Sequence, residues 1–360
     1  MKRYEARLAH DLNAIQTRVA GIADAVRAGV NEAVIGLETF DKERLYDVIL
    51  NDHPINRESR AIDSMCHAFV ARHLPAAGPL RFVSSVLRIN IGLERIGDYA
   101  VTIGRVGAQL KQPIPEPLMA DIRELTDQTI HMLRTSTRAF LEEDAELARA
   151  TKPMAKEIDL VYDRMFDHIV SADDGRPRTE VVRILTILAQ IERVSDQAKN
   201  ICEETVFVAT GETKKPKVYK VLFVDRTGGL VSQLAKAIAN KAFPESGIFH
   251  AAGWEPVEDI NPALGRIADK LALDVEDAKV RAFGELTMSP AKYHVIVTLV
   301  PTEDTVLPDI PFHSILQKWN LGPRPTGDDA AIDARLDDLS RDLRAHIRDL
   351  MVTLRGEDAS

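Results

Sequence analysis

Cysteine is nearly absent: 360 residues hold only Cys66 and Cys202, with no metal-type spacing between them. That excludes a disulfide framework and a thiolate zinc site. An excess of positive charge is missing too. The net charge is −9 and the pI near 5.6, which argues against nucleic acid held by bulk electrostatics and against an anionic membrane surface as the main partner. No apolar run approaches the roughly 20 residues of a membrane span, and the opening Met-Lys-Arg-Tyr-Glu-Ala-Arg lacks a signal-peptide core. The expectation is a cytoplasmic protein, peripheral rather than integral at any membrane. A composition 45% apolar and 28% charged is that of a globular chain, and its length predicts two or three domains.

What is there begins with helices. Leu8, Leu12, Ile15, Val19, Ile22, Val26 and Val30 recur at steps of three and four, one apolar stripe of a long helix. Asp41 reads as the N-cap of a second long helix that Pro75 stops, and a third runs from about Leu80 to Leu110. After the prolines at 113, 115 and 117 the pattern restarts with three more helices, the last ending at Gly211. The polar "TGETKKPK" is a linker. Beyond it, buried strands such as "VYKVLFV" and "YHVIVTLV" alternate with helices, and a striped helix from Ile332 to Leu354 closes the chain. The expected architecture is multidomain: all-α three-helix bundles over 1–111 and 118–212, then an α/β domain with a mostly parallel sheet over 218–355.

The chemistry lies in "LERIGD" (93–98) and "IERVSD" (191–196). Glu94/Asp98 and Glu192/Asp196 each place two acids one turn apart on a helix face, a like-charge arrangement that costs a few tenths of a kcal/mol. The two motifs are 98 residues apart (192 less 94), the span of a whole bundle, so the chain is an internal duplication. Taken singly, such a pair is most simply a solvated face, with Arg95 and Arg105 as ion-pair partners for the first. Repeated at one place in two bundles, it suits hard or borderline cations, either shared by the four carboxylates or held in matching patches. Asn200 adds an amide oxygen one turn beyond Asp196, where the first copy has Thr102, a weaker ligand. No histidine accompanies the acids; His67 and His131 fall singly in helical patterns.

Residues 1 to 212, through "LERIGDYA", "IERVSDQAKNICEETVFVATGE", "DHPINRE" (52–58) and "PLR" (79–81), resemble the phosphate uptake regulator (PhoU) family. The resemblance implies duplicated three-helix bundles whose acids, here Glu94, Asp98, Glu192, Asp196 and Asn200, hold divalent or trivalent ions: iron, manganese, magnesium or zinc. It implies a homo-oligomeric regulator that couples a phosphate ABC transporter to a sensor histidine kinase and restrains the phosphate-starvation response. Thr102 and Pro79 depart from the family pattern, so the first site is expected to be the poorer.

Residues 218 to 355 resemble low-molecular-weight protein tyrosine phosphatases and arsenate reductases in pattern, through "VLFVDRTGGLVSQLAKAIA". Those enzymes need a Cys at the strand end and an Arg at the helix start, a thiolate and a guanidinium facing one oxyanion. Here Asp225 and Val231 stand at those places, with Ser232 retained. A carboxylate is no thiol nucleophile and repels phosphate; Arg226 offers a partial replacement for the missing Arg as an anion ligand, but a Cys-free loop that opens on an acid argues the other way. The bland reading makes Asp225 a loop cap; an aspartyl-phosphate site would need further acids, of which Asp304 and Asp309 are the candidates. The expectation is a pseudo-enzyme serving interaction or sensing, with no catalytic residues. The rivals are a phosphatase or arsenate reductase, and a metal-free helical adaptor whose acids are solvated charge.

Overall fold

In a computed structural model of the protein, described for residues 2–171, 175–214, 216–287, 293–299 and 314–356, the chain makes two compact units, Met1–Lys214 and Lys215–Ser360.

The first unit is all helix: α1 (Lys2–Glu38), α2 (Lys42–Leu50), α3 (Asp52–His73), α4 (Ala77–Ala108), α5 (Glu116–Leu141), α6 (Ala145–Thr151), α7 (Met154–Ser171) and α8 (Arg178–Thr210). Asp41 and Asp144 are the N-caps of α2 and α6, each accepting the backbone N–H three residues on. Gly211 closes α8 at φ 80°. The expected second helix of each bundle proves to be two. The first copy breaks at Asn51, ahead of Pro54, and the second at Lys152–Pro153. Proline denies the helix an N–H and disfavours helical backbone in the residue before it, so each break precedes one.

α4 and α8, the last helices of the two copies, pack antiparallel at the centre. Ser85 Oγ and Arg88 Nε, early in α4, donate to Glu204, late in α8, at 2.6 and 2.7 Å. At the other end the Lys111 N–H donates to Glu180, early in α8, at 3.3 Å. Their apolar faces join those of α1, α3, α5 and α7 in one continuous core running from Ile15 to Val208.

The second unit is α/β, as expected: a four-stranded sheet in the order β2-β1-β3-β4, built from β1 (Tyr219–Asp225), β2 (Gly247–Gly253), β3 (Val295–Thr298) and β4 (Ile315–Lys318). Every pairing is parallel. Helices α9 (Val231–Ala242), α10 (Ala263–Leu271) and α12 (Asp329–Arg355) supply the main core of this unit, where the Trp319 ring packs tilted against Phe223 at 5.9 Å. The opposite face of the sheet, with Leu222, Val224 and Ile296, packs on Phe283 of the short α11 (Phe283–Thr287) and on Trp254. Neither β4 nor α11 was expected from the sequence. Asp304 and Asp309, offered as partners for Asp225, lie outside the described residues.

Candidate functional site

Each acid pair is drawn into a patch by a second helix of its own repeat. In the first, Gly97 lies between Glu94 and Asp98, and a Cβ there would stand 3.1 Å from Asp52 Oδ1 and 3.3 Å from Ile55. The missing side chain lets the start of α3 approach α4, which carries Asp52 to the acids. Asn56 Nδ2 donates to Asp52 Oδ2 at 2.6 Å, whereas Oδ1 is buried with no hydrogen-bond partner. Burial, then Asp98 and Asp52, push the Glu94 carboxyl above its usual range; burial and Asp52 do the same to Asp98.

The second repeat concentrates more charge. Glu192 is pushed up to about 7 by burial first, then by Asp196, Asp159 and, more weakly, Asp163, against the pull of Arg193. Asp159 and Asp163 come from α7, one turn apart, repeating the spacing of Glu192 and Asp196. Counted from the N-cap aspartates Asp41 and Asp144, Asn56 holds the place of Asp159, and Arg60 that of Asp163. The first patch therefore has an amide and a cation where the second has two acids.

The charges acting on Glu94 and on Glu192 come each from its own repeat. Of the two arrangements open to the sequence, this is the matching patches. The ion pairs with Arg95 and Arg105 that the solvated-face reading offered do not form: among the described residues Glu94, Asp98 and Glu192 are in no ion pair, while Asp196 pairs with Lys199 at 3.8 Å. Thr102 is no ligand as it stands, because its hydroxyl donates to the Asp98 carbonyl at 3.0 Å; Asn200 is exposed. Asp52, Asp159 and Asp163 were missed. The last two carried a signal, the same four-residue spacing on a neighbouring helix. Among the described residues no group of three or more His, Cys, Asp or Glu side chains is set to hold an ion; the acids share a patch without converging on one point. The donor set nonetheless fits a hard cation: all-oxygen, anionic, and in the first patch with one buried oxygen left unused.

The PhoU domain model matches residues 19–106 and 122–205, one match per repeat. A phosphate-specific transport system accessory protein PhoU homolog of Pseudomonas putida is 30% identical over 230 residues, 63% of this chain and 90% of that protein. The chain belongs to the PhoU family. Two crystal structures of PhoU proteins agree. That of the phosphate transport system regulatory protein PhoU from Streptococcus pneumoniae is 27% identical with a TM-score of 0.54, covering 59% of this chain and 99% of that one. PhoU from Pseudomonas aeruginosa is 29% identical, TM-score 0.54, covering 57% and 99%. Among the described residues no helix is long and apolar enough to cross a membrane.

The second match of the PhoU domain model ends at residue 205, ahead of the α/β unit. Its loop after β1 is closed from within. Asp225, 5% exposed, accepts the Gly228 N–H on Oδ1 and the Ser232 N–H on Oδ2, the latter at 2.8 Å. Gly228 has φ 70°, and a Cβ there would lie 2.6 Å from the Gly253 nitrogen. Arg226, the residue after Asp225, is paired with Glu255. Asp225 caps the loop, as the bland reading had it.

Proposed function

We propose that this PhoU-family chain is a cytoplasmic regulator of phosphate transport and of the phosphate-starvation response. In this reading Glu94, Asp98, Glu192, Asp196 and Asn200, with Asp52, Asp159 and Asp163 beside them, bind divalent or trivalent ions such as iron, manganese, magnesium or zinc. A bound cation removes the carboxylate repulsion that otherwise opposes the fold at these patches. The partners are the phosphate ABC transporter and its sensor histidine kinase, met at the membrane periphery by a homo-oligomer. The α/β unit is a phosphatase-like domain without turnover, serving interaction or sensing, and the chain is not an enzyme. One observation carries the reading: a duplicated acid pair on the two central helices of a PhoU fold, each pair joined by acids of a second helix.

Support for the missing turnover is chemical. The residue at the nucleophile's place is a carboxylate already engaged by two backbone N–H groups, the position of the helix-start Arg is Val231, and Arg226 is paired with Glu255. The test joins elemental analysis to genetics. Purified protein is expected to hold stoichiometric metal that a Glu94/Asp98/Glu192/Asp196→Ala variant lacks. The same variant is expected to leave a phosphate-starvation reporter derepressed in a deletion host that wild type restores. Equal metal content and equal repression by both proteins would sink the proposal.

A further inference from the structure

The α/β unit carries a seat for an anion and something already sitting in it. The N–H groups of Gly228 and Ser232 converge at the start of the twelve-residue α9, and both point at one buried carboxylate. Converging backbone N–H groups at a helix N-terminus favour a phosphate-sized oxyanion through their partial positive charge. A further donor is in place: Ser232 is fully buried, and its hydroxyl has no hydrogen-bond partner. The loop is also rigid. Gln233 Nε2 donates to the carbonyls of Gly228 and Lys279, at 2.9 Å each, and the Gly228–Gly253 approach leaves no room for a side chain. A cleft of about 700 Å³ opens on the loop, with Asp225, Thr227, Gly229 and Arg324 among its walls. The donors that a tetrahedral oxyanion needs are therefore on this loop.

We propose that the loop from Asp225 to Ser232 is a tetrahedral-oxyanion site that the chain fills with its own Asp225 carboxylate, which shuts free phosphate out. The proposal rests on the reading of this unit as a phosphatase-like domain without turnover. A carboxylate tethered to the first residue of the loop competes intramolecularly, at an effective concentration far above that of millimolar phosphate in solution. Its charge also repels any second anion that approaches the same N–H groups. The substitution that removes the nucleophile thus does a second thing: it turns the seat from a binding site into an internal cap.

The test is a titration of the full-length chain with inorganic phosphate in EDTA, wild type beside Asp225→Gly and Asp225→Ser, read by thermal unfolding and by phosphorus NMR line width. Wild type is expected not to respond at millimolar phosphate. Both variants are expected to bind phosphate at least about tenfold more tightly than wild type, while sodium chloride at matched ionic strength has no effect. Should Asp225→Gly be unfolded without phosphate, recovery of its circular dichroism on adding phosphate supports the proposal, and failure to recover leaves Asp225→Ser to decide by the same tenfold criterion. An equal response in wild type and variants, or none in a folded variant, overturns it. Hydrolysis of p-nitrophenyl phosphate by wild type is scored separately: turnover sinks the domain reading, whereas unresponsive variants without wild-type turnover sink only the internal cap.

Discussion

Tyr99 and Gln197 stand at equivalent positions of the two repeats, and they touch: Gln197 Nε2 donates to the Tyr99 hydroxyl at 3.5 Å. A position can meet its own counterpart only near a twofold axis, so a pseudo-dyad passes between α4 and α8 at this point. The axis explains why the acid pairs diverge. Glu94 and Glu192, five residues before these contacts, turn away from each other, one toward α3 and the other toward α7. Duplication has therefore produced two separate acidic patches, each drawn from its own repeat.

Two glycines of α4, Gly104 facing α2 and Gly92 facing α8, make a sharp prediction. A Cβ on Gly104 would stand 2.9 Å from the Leu45 backbone oxygen, which cannot move without shifting α2; on Gly92 it would meet only the end of the Gln197 side chain, at 3.1 Å. Gly104→Ala is expected to destabilise the helical unit by about 1–3 kcal/mol despite the better helix propensity of alanine. Gly92→Ala should be near neutral, because Gln197 can rotate and alanine regains up to about 1 kcal/mol of propensity. Urea midpoints followed by far-ultraviolet circular dichroism would separate the two; equal losses would mean that the α2–α4 contact at Gly104 is no tighter than the α4–α8 contact at Gly92.

Much of this was legible in the chain, and the omissions have physical causes. The apolar stripes, the cap aspartate Asp41 and the continuous strand Val221–Val224 are local signals, and each element formed about where its pattern lay. The breaks at Asn51 and Lys152 were overlooked because the apolar stripe continues across them; Pro54 and Pro153 were the available warning. The four-residue edge strand β4, with Ile315 60% exposed, has no buried face for a period to mark. At the candidate site, the acids on α4 and α8 could be read from their repetition. Asp52 could not, because its place beside Glu94 depends on a missing Cβ on another helix.

Without metal, the second patch should make the fold sensitive to alkali. The Glu192 carboxyl is raised from 4.5 to about 7 in the folded chain, so the folded state binds the extra proton between those values. Its contribution is therefore most favourable below pH 4.5 and is lost as pH rises through 7. In EDTA, Glu192→Gln is expected to stabilise the protein at pH 8 by on the order of 1–2 kcal/mol, discounted for partial exposure, and to change little at pH 4. Adding a bound cation to wild type at pH 8 should give a comparable gain. Thermal midpoints at the two pH values are the measurement, and a variant equally stable to wild type at both would refute the coupling.

The opposite sign is expected where α1 meets the end of α3 in the same unit. Asp11 Oδ2 takes hydrogen bonds from His73, at 2.8 Å, and Arg72, at 2.7 Å, tying the start of α1 to the end of α3. These bonds, His73 first, hold the Asp11 carboxyl below its usual 3.8. A depressed carboxyl gives stability that is present above pH 3.8 and is lost as pH falls through its lower folded value. Asp11→Asn should cost about 1 kcal/mol near neutrality and flatten the acid limb of the stability curve below pH 4. An unchanged acid limb in the variant would show that the tie contributes nothing.

The two patches are unequal, and metal loading should report it. Asp159 and Asp163 give the second a further acid pair, where Asn56 and Arg60 give the first an amide and a cation. Arg60 lowers the Glu94 carboxyl by its charge, so it occupies part of the role a bound ion would fill. On titration with a divalent ion the second repeat should fill first and hold more tightly, by about tenfold for each like charge relieved. Glu192→Ala/Asp196→Ala should then remove most of the metal at limiting concentration, and Glu94→Ala/Asp98→Ala little. Asn56→Asp/Arg60→Asp should bring the first site level with the second, read as a rise in bound metal per chain. Identical losses from the two double-alanine variants would show that the extra acids of α7 do not set affinity, and that the pairs on α4 and α8 act alone.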